Sequence, residues 1–515
     1  MINQKTRIAL DYHEGTKHSD WSLRTNRHYL DRAIQPLPFK IYQNLEPIPL
    51  PRITTQSDRA VLSLLPQIGA EGTGKRLDLE DLARILHFSA GITKRKSYPG
   101  GEILFRAAAC TGALYEIELH VVTADLDGLQ AGVYQYSPRD DALCCLRRGD
   151  YRQLLVSAAA EESGVVQAQL IIISTGIYWR NAWKYQQRTY RHFGWDNGTV
   201  LANLLTMCQA LGQPARLILG FVDSEVSRLL QLDTDREVAL SMICVGRALE
   251  PAPDSFPTVE PLGLKTLPLS TSEVDYPEMR KMHSATLLNS PKEVRQWREV
   301  AAAPSTADDQ GRGAKLETKG TELLSPDSPE SVILRRGSSR RFARRPISFQ
   351  QFSALLHCAS QGIPEDFLEP PGSLLNQWYL IVNSVDGLPS GSYLLHRESS
   401  RIELLERGDF RSLAGSLALG QALAADASFN VFFLADLEAI LKRYGNRGYR
   451  AVQLEAGILG GKLYLAAYAQ RLGATGLTFF DDDVVEFFCP HARGKSAIFL
   501  MALGKGQRPT PVRLA

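Results

Sequence analysis

No stretch of this 515-residue chain approaches 18 uninterrupted apolar residues, and the opening MINQKTRIALDYHEGTKHSD lacks the apolar core of a secretory signal. Neither a membrane span nor a cleaved export signal is expected. Cysteine is also sparse, with seven residues at 110, 144, 145, 208, 244, 358 and 489, no Cys-x-x-Cys pair and no nearby histidine at zinc-motif spacing. That excludes a disulfide framework and fits scattered thiols in a reducing compartment, so a cytoplasmic protein is expected. An excess of one charge is missing too. The 58 Lys+Arg and 56 Asp+Glu leave a net +2, with no dominant basic stripe for nucleic acid or a membrane surface. What is present is a globular composition, 44% hydrophobic and 22% charged, with length for about three domains at about 150 residues each.

The strongest internal signal is a duplication. LRRGDYRQLL (146–155) returns as LERGDFRSLA (405–414), and Gly408 lies 259 residues after Gly149. The same offset links Asp127-Gly128-Leu129, Gly132 and Tyr134 to Asp386-Gly387-Leu388, Gly391 and Tyr393. It also links Tyr185, Arg188, Tyr190, Arg191 and Gly198 to Tyr444, Arg447, Tyr449, Arg450 and Gly457. With small slips the match reaches Ile85-Leu86-His87 against Leu355-Leu356-His357. The length therefore reads as two similar domains, 1–250 and 326–515, around a connector, 251–325. Within the connector SPKEVRQWREVAAA (290–303) is expected to be helical, and STADDQGRGAKLETKGTELLSPDSPES (305–331) to be exposed or disordered.

Each half carries the same coarse pattern. An amphipathic helix (LDLEDLARILHFSAG; ISFQQFSALLHCAS) precedes a strand (IELHVVTA; WYLIVNS), an Asp-Gly turn and a second strand (GVYQYS; GSYLLH). A β-branched or aromatic strand (QLIIISTG; NVFFLAD) then leads to a long apolar helix closed by glycine. Without strict βαβ alternation the class is α+β, with a mixed sheet flanked by helices in each half. Two like halves suggest an intramolecular pseudo-dimer with a site in the cleft between them.

Three runs could carry chemistry. In extended backbone Arg336, Ser338 and Arg340 point one way, and paired guanidinium groups suit a phosphate; the bland alternative is a solvated basic turn. Lys184 beside Tyr185 can shuttle a proton if burial or a nearby cation moves either pKa, whereas Arg188, Tyr190 and Arg191 can instead cap the helix and pair with acids. The repeat replaces Lys184 by Arg443, an asymmetry between the halves. The small-residue run Arg106 to Tyr115 can let backbone approach a flat ligand, or simply be a tight turn.

Together these runs resemble the flavin-dependent nitroreductase superfamily, and within it the SagB/ThcOx-type dehydrogenase branch that includes azoline oxidases of peptide natural-product pathways. Arg336-x-Ser338-x-Arg340-x-Phe342 is similar to its flavin-phosphate motif. Tyr12-His13-Glu14-Gly15-Thr16-Lys17-His18, Gly112-Ala113-Leu114-Tyr115 and Lys184-Tyr185 are similar to the branch's own motifs. The resemblance implies FMN at the interface of the halves. Arg336, Ser338, Arg340, Thr478, Phe479, Lys505 and Arg508 would come from the second half, and Cys110, Thr111, Gly112 and Ala113 from the first. Lys184 and Tyr185 would be catalytic. By the same resemblance Arg340 would raise the flavin potential and a backbone N–H of 476–480 would address the ring. Cys110 and Glu116 depart from the branch, which usually has Ser and Pro there. LPQIGAEGTGKR (65–76) offers no phosphate motif to the symmetry-related position, so one FMN per chain is expected, with NAD(P)H as a candidate electron donor. The activity implied is hydride transfer to or from a small-molecule or peptide substrate. An azoline oxidase acting on a modified peptide and a non-catalytic flavin-binding scaffold are the alternatives, and neither nucleic acid nor membrane is expected as a partner.

Overall fold

The computed structural model describes residues 2–507 except 68, 70, 71, 73, 74, 99, 100, 249 and 300–311. In the first half the strands are β1 (Pro47–Pro49), a hairpin of β2 (Ile92–Tyr98) and β3 (Gly101–Arg106), β4 (Ile117–Thr123), β5 (Gly132–Ser137), β6 (Ala142–Arg148), β7 (Leu170–Ile177), β8 (Ala215–Ile218) and β9 (Glu237–Val245). In the second they are β10 (Ala314–Lys315), β11 (Gln377–Val382), β12 (Gly391–His396), β13 (Arg401–Arg407), β14 (Phe429–Ala435), β15 (Gly473–Leu477) and β16 (Ser496–Gly504). The two seven-stranded sheets run β1-β6-β5-β4-β7-β9-β8 and β10-β13-β12-β11-β14-β16-β15, one topology used twice. The register repeats as well: Val122 faces Val133 and Ile381 faces Ser392, each pair one repeat apart.

The α+β class and the pseudo-dimer hold, but the strand pairing is more uniform than the mixed sheets expected. Every paired strand in both sheets is antiparallel, because the Asp-Gly turns make hairpins and the longer crossovers also return antiparallel. Among the described residues parallel contact is confined to single bridges such as Leu217 to Glu365 and Ile347 to Val385. β7 and β14 are buried along their whole length, which explains their predominantly apolar sequences.

The halves meet along two long helices, Thr189–Ala210 and Arg447–Ala469. Glycine sets their approach. A Cβ on Gly198 would lie 2.4 Å from the carbonyl carbon of its repeat mate Gly457, and one on Gly461 2.4 Å from Ala202 Cβ. No larger residue fits there without separating the backbones.

Two buried ionic latches, related by the repeat, flank this crossing. Asp481 of the second half pairs with Arg191 (2.6 Å) and Arg188 (3.3 Å) of the first. Asp223 of the first half pairs with Arg447 (2.7 Å) and Arg450 (3.1 Å) of the second. The N-terminal helix Arg7–Gly15 completes one latch: His13 Nδ1 lies 3.2 Å from Tyr449 Oη, Arg191 donates to Thr16 Oγ1, and His18 N–H donates to Asp481. The helix Pro277–Ala285 completes the other through His283 Nδ1 at 3.4 Å from Tyr190 Oη, Arg450 donating to Thr286 Oγ1, and Leu288 N–H donating to Asp223. His13, Thr16 and His18 correspond to His283, Thr286 and Leu288 at one constant offset of 270, the same offset that relates His87 to His357. The duplicated unit therefore includes a helix placed in the connector by sequence.

A second connector helix is packed as well. The expected helix over 290–303 is Pro291–Arg298, capped by Ser290, and it buries Trp297 against Phe367 with ring centroids 5.1 Å apart. Residues 300–311 lie outside the described residues. From 312 the chain, expected to be exposed or disordered, is exposed over 312–315 and is held there by β10, which hydrogen-bonds along the edge of β13 as β1 does to β6. Among the described residues no helix is long and apolar enough to cross a membrane.

Candidate functional site

The small-residue run forms a tight loop clasped to the first long helix. Asp196 Oδ1 accepts hydrogen bonds from Thr111 N–H (2.8 Å) and Oγ1 (2.9 Å). Gly112, Ala113 and Tyr115 all take left-handed backbone, with φ of 65°, 54° and 55°. The two non-glycine residues cost about 1–2 kcal/mol each, which the surrounding contacts must offset. Tyr185 lies against this loop, so that a Cβ on Gly112 would come 2.8 Å from Tyr185 Oη. Lys184 Nζ is 5.2 Å from the Tyr185 ring centre. The next residue, Gln186, has φ 50° and ψ −139°, a conformation suited to glycine, and its repeat mate is Gly445.

The electrostatics separate the pair. Burial lowers the Lys184 pKa, helped by Arg32 and Arg340. Burial raises that of Tyr185, reinforced by Asp196, Cys110 and Glu116, while Arg340 opposes the rise. Arg340, from the second half, thus stands close enough to influence both first-half residues.

The run that supplies it crosses the ends of β15 and β16. Ser339 N–H donates to Ala474 O and Ala343 N–H to Lys505 O, both at 2.9 Å. Its three key side chains differ from the single row expected of an extended segment. Arg336 turns inward, donating from Nε to Ala107 O (2.9 Å) and from Nη2 to Arg106 O (3.2 Å), so it ties the second half to the first. Ser338 Oγ lies 3.2 Å from Tyr464 Oη, and Arg340 and Lys505 are exposed. Arg508 lies outside the described residues.

The repeat mates at the ends of β8 and β15 differ sharply. In the first half the Leu219 and Gly220 N–H groups donate to the Asp366 carboxylate at 2.8 and 3.0 Å, and Arg298 closes over Asp366 at 2.7 Å. Their mates are Thr478 and Phe479. Among the described residues nothing accepts from either N–H, and the buried Thr478 Oγ1 has no partner. Phe479 is itself buried, with the Arg188 guanidinium 5.6 Å from its ring centre. One of two equivalent positions is filled by the chain's own carboxylate, and the other offers three unused donors.

Several residues here escape sequence reasoning. Lys94 on the β2–β3 hairpin donates to Arg335 O (3.1 Å) and Arg336 O, over a distance no local motif records. Asp366 and Tyr464 are equally invisible as motifs. Asp196 was reachable, since its repeat mate Glu455 is also acidic and clasps the equivalent loop through Leu375 and Asn376 N–H.

Tandem halves of one topology, packed along their long helices, define a two-domain pseudo-dimer. The nitroreductase family matches residues 73–247 and 333–505, and the chain belongs to that family. A crystal structure of a nitroreductase-type protein from Anabaena variabilis ATCC 29413 superposes with a TM-score of 0.75 at 27% identity, covering 97% of this chain and 99% of that one. A nitroreductase-type protein of Methanocaldococcus jannaschii is 26% identical over 174 residues, covering 34% of this chain and 83% of its own length. The trifolitoxin-processing protein TfxB of Rhizobium leguminosarum bv. trifolii is 29% identical over 180 residues, 33% of this chain and 48% of that protein.

Proposed function

We propose that the chain is an FMN-dependent oxidoreductase of the SagB-type dehydrogenase branch, holding one flavin between its halves. The observation that carries this reading is the contrast at the strand ends, where Asp366 consumes the donors of one position and those of Thr478 and Phe479 stay open. Open N–H and hydroxyl donors fit the carbonyl and ring-nitrogen acceptors of an isoalloxazine. The exposed Arg340 and Lys505 fit an anionic ring edge and a phosphate. Gly112 and Ala113 carry little or no side chain, the kind of backbone that a flat ring can approach. Arg336 has a different task, bracing the loop that carries Cys110, Thr111, Gly112 and Ala113.

A bound flavin supplies two-electron hydride chemistry. The chain's own residues supply the rest. Tyr185, held protonated by burial and neighbouring acids, is the proton donor; Lys184, with its pKa lowered, is the group that can accept a proton. The buried Phe479 would help to keep water from a ring bound beside it. A relative named for processing trifolitoxin favours a modified peptide as the second reading of the substrate, after a small molecule with NAD(P)H as donor.

Anaerobic reduction tests the enzyme reading. FMN-loaded protein should bleach with NADH, NADPH or an azoline-bearing peptide. Flavin that is bound yet reduced by none of them would favour the scaffold alternative.

A further inference from the structure

We infer that the first half carries a buried divalent-cation site of the zinc type, formed by Cys110, Glu116 and Asp196. Their ligand atoms all lie within 4.8 Å of one another. Cys110 Sγ is 3.3 Å from Glu116 Oε2 and 3.5 Å from Asp196 Oδ2. With Zn–S of about 2.3 Å and Zn–O of about 2.0–2.2 Å, a tetrahedral sulfur–oxygen edge is about 3.5–3.7 Å, so small adjustments would place these atoms on one ion. A thiolate with two carboxylates is a borderline-soft donor set that suits zinc better than magnesium or calcium.

A second observation points the same way. Glu116 is fully buried, and its Oε1 has no hydrogen-bond partner although its other oxygen faces the Cys110 sulfur. Among the described residues no lysine or arginine forms an ion pair with Glu116 or Asp196, so no protein cation within that reach neutralises the cluster. The surrounding contacts orient ligands as outer partners of a metal do: Thr111 holds Asp196 through Oδ1, leaving Oδ2 toward the sulfur, and Tyr115 N–H donates to Cys110 Sγ at 3.0 Å.

The duplication supplies an internal control. Glu455, the mate of Asp196, is met by the N–H groups of Leu375 and Asn376 and by Asn376 Nδ2, and the loop it holds, Pro370 to Gln377, contains neither thiol nor second carboxylate. Donors thus take both carboxylate oxygens of Glu455, whereas Thr111 takes only Oδ1 of Asp196 and leaves Oδ2 facing the Cys110 sulfur. Three protein ligands leave a fourth position for water or another donor.

Full-length protein in a Cys489→Ser background, which removes an exposed thiol, should be incubated with zinc sulfate, desalted and analysed for metal and flavin on the same sample. About one zinc per chain is expected, with a sulfur scatterer at the zinc absorption edge, whether or not flavin is bound. Cys110→Ser and the near-isosteric Glu116→Gln should each lower zinc retention at least tenfold while circular dichroism stays unchanged. Absence of retained zinc in the parent, zinc without a sulfur ligand, or variants that retain as much zinc as the parent would overturn the site and identify a proton-sharing cluster instead. Flavin content, read separately, leaves the flavin assignment to be judged independently.

Discussion

Replacing Asp481 by asparagine removes the carboxylate shared by two buried arginines while preserving shape. Arg191 would keep Thr16 Oγ1 and His13 O, and Arg188 would keep Thr16 O, but both charges would lose their counter-ion inside the interface. Breaking a buried pair by removing one partner costs about 3–5 kcal/mol. At about 2–4 °C per kcal/mol for large domains, the thermal midpoint should fall by about 6–20 °C. Burial alone would raise the Asp481 pKa, but Arg188, Arg191 and His13 outweigh it and hold the carboxyl well below its usual range. A group with a depressed folded-state pKa stabilises fully above its unfolded value near 3.9 and loses that contribution as pH falls toward the folded value. The gap between wild type and Asp481→Asn, measured by differential scanning calorimetry, should therefore be full at pH 6–7 and narrow below about pH 4. Asp223→Asn should behave alike, because Arg447, Arg450 and His283 likewise outweigh burial at the second latch. Shifts under about 2 °C for both variants, or a gap that does not change with pH, would refute the view that these latches hold the halves together.

Gly198→Leu should be worse than a typical overpacked core substitution of about 1–3 kcal/mol, since its side chain would enter Gly457 backbone; soluble expression and thermal midpoint read this directly. Thr478→Val keeps shape and removes the unpartnered hydroxyl, so FMN affinity by fluorescence titration should fall about tenfold, a net loss of about 1.4 kcal/mol, with no change in stability. Tyr185→Phe and Lys184→Met should each lower kcat/KM by about 100 to 10,000-fold while retaining flavin. In a pH profile, a limb that depends on neutral Lys184 should lie below the ordinary lysine value, because burial, Arg32 and Arg340 all lower its pKa.

Much of this organisation is legible in the sequence because duplication converts a single chain into two aligned readings. The 259-residue offset marks both long helices and the Tyr-x-x-Arg-x-Tyr-Arg run, and acid pairing of Arg188 and Arg191 is one of the two readings it allows. What it does not disclose is that each acid comes from the opposite half, since a repeat records equivalence and not contact. The connector helix with His283 and Thr286 was hidden because its offset from His13 and Thr16 is 270, the first half having extra residues in the β2–β3 hairpin. Low apolar content over 312–325 reads as exposed or disordered and does not disclose β10, because an edge strand needs only backbone donors and acceptors. The inward turn of Arg336 escapes the sequence for a related reason. Alternation along an extended segment gives the direction of a side chain, but not that the Arg106 and Ala107 carbonyls of the other half will meet it. Asp366 filling one of two equivalent positions depends on a loop with no repeat mate, so no self-comparison could expose it.

Bound-flavin stoichiometry tests the central claim most directly. Protein saturated with FMN, desalted, denatured and measured by absorbance against chain concentration should release one FMN per chain, and Asp366→Ala should not add a second, because the first half lacks the phosphate run. Release of two FMN per chain from the wild type, or failure to bind any, would contradict an asymmetric pseudo-dimer with a single flavin site.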